Sequence, residues 1–150
     1  MIRCTDHYGQ SHDVPVEKFN FRISAYGVLR NNNKLLVVKE RWSKKWEFPG
    51  GGIKPSESIT DGLQREIKEE TGLTVRADKL LTLTEDYFYA EDRDEAWHRL
   101  RLIYTLSEIR GKLNSRGNSD DIVAAGFKSL SALRKDADVK SFIKDLLKFT

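Results

Sequence analysis

Three glutamates, Glu66, Glu69 and Glu70, carry the strongest chemical signal in the chain. On a helix, which turns by about 100° per residue, they stand at i, i+3 and i+4 and share one narrow strip. Like charges at that spacing repel, so the strip destabilises its helix unless a cation occupies it. Hard divalent ions such as Mg²⁺ and Mn²⁺ take carboxylate oxygens and answer that need.

The elements that must position this strip lie on either side of it. Pro49, Gly50, Gly51 and Gly52 let the backbone turn tightly ahead of the helix, so that a carbonyl can face an ion held on the carboxylates. Ser56 or Ser58 can cap the helix with its hydroxyl, and Gly72 can end it in a left-handed conformation, which leaves about four turns over residues 58–71. Gly62, one turn before Glu66, keeps that surface low. Ile59, Leu63 and Ile67 form an adjoining apolar stripe that anchors the helix on a core.

Gly51, Glu57, Arg65, Glu66, Ile67, Glu69, Glu70, Gly72 and Leu73 stand at every defining position of one motif, and in it the chain resembles the Nudix hydrolases. The resemblance covers roughly residues 21–148 and implies an α/β fold of the Nudix type, an α/β/α sandwich with a mixed β-sheet. It further implies that Glu66, Glu69, Glu70 and the Gly51 carbonyl hold Mg²⁺ or Mn²⁺, and that Arg65 and Glu57 form an ion pair bracing the loop against the helix. The implied reaction is metal-dependent hydrolysis of a phosphoanhydride in a nucleoside diphosphate linked to a further group X. Glu66 is one candidate base; Glu91, Asp92, Asp120 and Asp121 on later loops are others. A catalytically silent sensor or RNA-binding protein of the same fold is the alternative, but such relatives usually carry a broken motif and this one is whole.

Composition narrows the remaining possibilities. A length of 150 residues at 39% hydrophobic suits one globular domain, with residues 1–18 as an accessory hairpin or arm and 21–148 as the core fold. The formal net charge of +3 arises from 26 basic and 23 acidic residues, too balanced for a general nucleic-acid binder. The single cysteine, Cys4, forbids an internal disulfide, and no apolar run would span a bilayer or serve as a signal segment, so a cytoplasmic protein is expected. Cys4, His7 and His12 lack the further partners that a structural zinc set requires.

Along the chain, residues 19–29 and 35–38 read as the two strands of a hairpin around the polar turn 30–33. Residues 79–89 and 98–106 read as strands joined by a long acidic tip at 91–95, and 122–130 as a last strand. Residues 111–121 are polar and read as a mobile loop. Val139, Phe142, Ile143, Leu146 and Leu147 recur at helical spacing, which predicts a terminal amphipathic helix over 138–149.

Substrate contacts are expected from several places. Arg41, Lys44 and Lys45 interleave with Trp42 just ahead of the glycine turn, a pattern that meets phosphates with charge and a base with a ring. Arg22 is a further candidate on the strand before. Tyr89 lies sixteen residues past the motif, where dinucleoside polyphosphate hydrolases of the family tend to place a tyrosine. ADP-ribose hydrolases tend to have a proline nearby, and here no proline follows Pro55. Nucleoside triphosphates and dinucleoside polyphosphates are therefore both expected substrate classes, and the partner expected is a small-molecule nucleotide, with no membrane and no evident nucleic-acid partner.

Overall fold

A computed structural model describes residues 1–148. It contains ten strands: β1 (Ile2–Thr5), β2 (Ser11–Val14), β3 (Phe19–Val28), β4 (Arg30–Asn31), β5 (Lys34–Glu40), β6 (Trp46–Glu47), β7 (Gly50–Gly52), β8 (Thr74–Ala90), β9 (Glu95–Arg110) and β10 (Ile122–Ser129). Three α-helices accompany them, α1 (Ile59–Thr71), α2 (Leu130–Lys135) and α3 (Ser141–Leu147). The larger sheet is mixed, in the order β2-β1-β8-β9-β3-β7, and β10-β5-β4 form a smaller one with β6 added to β5.

Period-two alternation on β5 explains the layers. Leu35 and Val37 pack with Leu130, Leu133 and Ile143 of α2 and α3, whereas Leu36 packs with Leu63 and Ile67 of α1. Helices thus cover both sides, and the expected α/β/α arrangement holds. Leu63 and Ile67 are fully buried, which stabilises α1 on its core by on the order of 1.5–3 kcal/mol each. Of the two possible serines, Ser58 caps α1, its Oγ accepting the Asp61 N–H at 3.1 Å, and Gly72 closes the helix at φ 80°.

Four local expectations change. Residues 19–29 and 35–38 are hairpin partners only next to the turn, where the Leu36 N–H donates to Leu29 O at 3.0 Å and β4 pairs with β5; farther out β3 is flanked by β9 in parallel and by β7, and β5 pairs with β10 and β6. Residues 130–135 form a helix rather than a strand end, because Ser129 Oγ accepts the Ala132 N–H at 3.2 Å and Leu130 and Leu133 share one buried face. The terminal helix begins only at Ser141, since Val139 bridges Trp46 as an extended residue; Phe149 lies outside the described residues. The polar loop 111–121 is anchored: the Asn114 N–H donates to Thr71 O at 2.9 Å and the Asn118 N–H to Glu70 O at 2.8 Å, which ties it to the end of α1. Among the described residues no helix is long and apolar enough to cross a membrane.

Candidate active site

The glycine turn is a strand. Gly50, Gly51 and Gly52 pair with Tyr26, Ala25 and Ser24 of β3, which holds their backbone over the C-terminal half of α1. A Cβ on Gly51 would stand 2.8 Å from the Glu66 carboxyl carbon, so a side chain there would displace that carboxylate. Glu70 Oε2 accepts the Gly50 N–H at 2.9 Å. Two carboxylates of the helix therefore press against the backbone that the sequence placed next to them.

Arg65 organises the rest of the motif. Its guanidinium forks onto Glu57, with Nε to Oε2 at 2.9 Å and Nη2 to Oε1 at 2.6 Å, and Nη2 also donates to Gly52 O at 3.2 Å. Nη1 bridges Glu66 and Glu69, at 3.1 Å from each. The expected brace between loop and helix is present, and the Lys54 N–H adds a bond to Glu57 Oε1 at 2.8 Å. These contacts, led by Arg65, hold the Glu57 carboxyl down at about 2.

Glu66 and Glu70 open onto a cleft of about 710 Å³. Its floor is set by alternation on β3, which sends Arg22, Ser24 and Tyr26 to one face, and by the parallel register that places Arg99 beside Arg22. Glu40, Trp42, Glu91, Asp92, Arg93 and Asp121 also line the cleft, together with Asp6, His7 and Tyr8. Burial pushes the Glu70 carboxyl well above the ordinary carboxylate range; the Gly50 N–H opposes that, and the charges of Glu66, Glu47 and Glu40 reinforce it. Burial also raises Glu66, with Arg65 pulling the other way. Lys140 reaches Glu40 at 2.7 Å and touches Glu47, so that lysine is already committed to two carboxylates.

This donor set fits a divalent cation. Glu70 is a carboxylate whose one hydrogen-bond partner among the described residues is a backbone N–H and whose neighbours are carboxylates, an arrangement that a hard cation relieves. Glu66, Glu70 and the Gly51 backbone lie on one wall for it. Glu69 does not line the cleft; its side chain is half exposed and turned to Arg65. A second group, Asp6, His12 and Glu91, brings its ligand atoms within 4.8 Å of one another at the N-terminal hairpin.

Not every residue expected at the substrate comes to the cleft. Arg22 and Trp42 do. Arg41 instead clamps the loop before β10, its backbone N–H and its Nε donating to the Asp121 and Asp120 carbonyls. Lys44, at φ 58° in the turn before β6, and Lys45 lie outside the lining. Tyr89 packs on Cys4, Val14 and Ala96, donates to Asp94 Oδ1 at 2.7 Å and faces a separate, smaller hollow, because β8 and β9 carry it to the far side of the hairpin. Of the candidate bases, Glu91, Asp92 and Asp121 reach the cleft and Asp120 does not. Sequence reading missed Arg99 and the hairpin tip. Arg99 had no local signal apart from its alternation with Arg101 and Ile103; the tip had its exposed tyrosine beside Gly9.

The fold and this site define a hydrolase of the Nudix class. The NUDIX domain family matches residues 20–148, and the chain belongs to that family. An ADP-ribose pyrophosphatase of Methanocaldococcus jannaschii is 30% identical over 131 residues, which is 85% of this chain and 73% of the relative. An 8-oxo-dGTP diphosphatase of Buchnera aphidicola is 42% identical over 53 residues, 33% of this chain and 41% of the relative. Among solved structures, a MutT NUDIX hydrolase of Burkholderia pseudomallei aligns at a TM-score of 0.70 and 20% identity, covering 86% of this chain and 97% of that one. A MutT protein of Methanosarcina mazei aligns at 0.69, also at 20% identity, over 86% and 91%. These structural likenesses establish the fold.

Proposed function

We propose that the chain hydrolyses the phosphoanhydride of a nucleoside diphosphate linked to a group X, where X is a phosphate, a sugar phosphate or a second nucleotide, with Mg²⁺ or Mn²⁺ on Glu66, Glu70 and the Gly51 carbonyl. The observation that carries this reading is Glu70: a buried carboxylate among carboxylates, at the back of a nucleotide-sized cleft, with a backbone N–H as its hydrogen-bond partner. The names of the relatives support the class, since ADP-ribose and 8-oxo-dGTP are both nucleoside diphosphates carrying an X.

A bound Mg²⁺ or Mn²⁺ would neutralise charge on the bridging phosphates and acidify a water. The protein's own residues do the rest. Arg22, whose guanidinium stands over Gly52 on the cleft wall, binds phosphate oxygens and orients the anhydride. Arg65 is committed to Glu57, so its part is to fix the loop and the direction of Glu66. Glu66, with its carboxyl raised by burial, accepts the proton of the attacking water as the water oxygen bonds to phosphorus and the bridging P–O bond breaks. The products are a nucleoside monophosphate and phosphorylated X, whichever phosphorus of that anhydride the water attacks.

The test is a panel of ADP-ribose, nucleoside triphosphates with and without oxidised bases, and dinucleoside polyphosphates, each with Mg²⁺ or Mn²⁺, read as phosphate released by added phosphatase. Turnover of at least one member, abolished by chelation, is expected. No turnover of any member with either metal would sink the proposal.

A further inference from the structure

The residues before position 20 lie outside the span shared with the family, yet they build one wall of the cleft. Their hairpin tip is held stiffly. Asp6 is buried; its Oδ1 accepts the Tyr8 and Gln10 N–H groups at 2.8 and 2.9 Å, and its Oδ2 meets His12 Nε2 at 2.8 Å. The His7 ring stands edge-on to Phe88 at 4.6 Å, and Lys18 at the base of the hairpin pairs with Asp94 at 2.9 Å. The hairpin is thereby pinned to the β8–β9 turn.

Tyr8 projects from that frame. It is 68% exposed, and its ring has no aromatic or cationic partner among the described residues. Trp42, in the turn after β5, is 57% exposed and likewise without a ring partner, and both line the same cleft. Two exposed rings lining one polar cavity offer π-faces on which a flat ligand can stack.

The charges nearby say which part of a substrate that is. Glu91 lies against Asp6, the Asp92 charge acts on His7, and Asp121 is bonded to the backbone beside Trp42. Arg93 sits within 4.0 Å of both Asp92 and Glu95, so the cation at this end is already balanced, whereas Asp86 is shared by Arg99 and Arg101 and leaves positive charge beside Arg22. Carboxylates repel phosphate and accept hydrogen bonds, so the phosphates belong at Arg22 and the glycine strand. What remains for the aromatic end is a group with a π-face and N–H donors.

We propose that Tyr8 and Trp42 form a nucleobase subsite, and that the N-terminal hairpin is the element by which this chain reads the base of its nucleotide. This rests on the nucleotide reading above, but it is tested by binding and needs no turnover. AMP and ribose 5-phosphate share the phosphate and the sugar and differ in the base, so their affinities, measured calorimetrically with Mg²⁺ present, isolate the subsite. The wild type should bind AMP at least about fivefold more tightly than ribose 5-phosphate, as stacking on an aromatic ring implies. Tyr8→Ala and Trp42→Ala should each erase most of that preference while leaving ribose 5-phosphate unchanged, and Tyr8→Phe should keep it, because the ring and not the hydroxyl does the binding. Equal affinities in the wild type, or a preference retained in both alanine variants, would overturn the subsite. Failure of the hydrolysis panel would instead strike at the reaction and leave this result standing.

Discussion

Replacing Glu70 by glutamine separates what its carboxylate does for the fold from what it does for the metal. Glutamine keeps an oxygen for the Gly50 N–H bond and removes a buried charge set among Glu66, Glu47 and Glu40. The metal-free variant should therefore melt no lower than the wild type, since an uncompensated buried carboxylate is relieved. The response to metal should move the opposite way. At a Mg²⁺ concentration of about 100 Kd, mass action stabilises the wild type by about 2.7 kcal/mol, which in a domain of this size raises the Tm by on the order of 5–10 °C. Loss of one ligand weakens binding by on the order of a hundredfold, which at the same Mg²⁺ leaves about 0.4 kcal/mol and a rise of about 1–2 °C. The kcat should fall by at least about a hundredfold. Melting curves with and without Mg²⁺ and single-substrate kinetics, run on one preparation, read all three quantities. A variant that keeps both the full Mg²⁺ shift and near-normal turnover would refute the assignment; one that melts far lower without metal would show that the carboxylate is structural.

Three further outcomes follow from the same geometry. Gly51→Ala places a Cβ 2.8 Å from the Glu66 carboxyl carbon without straining the backbone, so kcat should drop with little change in the metal-free Tm, checked by the same two assays. Lys44→Ala with Lys45→Ala should leave KM unchanged at low and high salt, because neither residue lines the cleft, whereas Arg22→Ala should raise KM most for the substrate with the longest phosphate chain. The pH dependence has two limbs. Arg65 depresses Glu57 from 4.5 to about 2, so its stabilisation is present above its ordinary pKa and is lost as pH falls through that interval. Burial raises Glu66 and Glu70, whose contribution is present at low pH and is lost as pH rises through their raised values. Mg²⁺ binds their ionised forms, so the Mg²⁺-induced rise in Tm should grow as pH rises through those raised values, and a shift that does not change with pH would contradict it.

Much of the fold was legible because it is local. The helix over 59–71 announced itself by a capping serine, an apolar stripe and a closing glycine, and each of these acts within a turn or two of its neighbours. Strand partners were less accessible. The hairpin expected between 19–29 and 35–38 forms only close to its turn, through Leu29, Arg30 and Asn31. The longer strand went to β9, a parallel partner some seventy residues away in sequence, and the alternation within a strand shows which face is buried without naming the strand beside it. The helix at 130–135 was hidden for a different reason: six residues cannot show a period.

The site divides along the same line. Everything the motif contributes, from Gly51 through Glu57, Arg65 and Glu66 to Glu70, is assembled by one strand, one loop and one helix adjacent in the chain, so the resemblance carried by that motif was enough to imply the Arg65–Glu57 pair. The substrate side is assembled by the sheet. Arg22 meets Arg99 only through the β3–β9 register, and Asp6, His7 and Tyr8 reach the cleft only because Thr5 pairs with Phe88 and Lys18 with Asp94. Proximity in sequence misled in the one place where it was used for that side: Lys44 and Lys45 precede the glycine strand by a few residues, yet the intervening β6 is tied to β5 and turns them away. A chain can therefore share its hydrolytic apparatus with many relatives and still differ from them in what it binds, since the first is fixed by a contiguous motif and the second by register and by a hairpin outside the span they share.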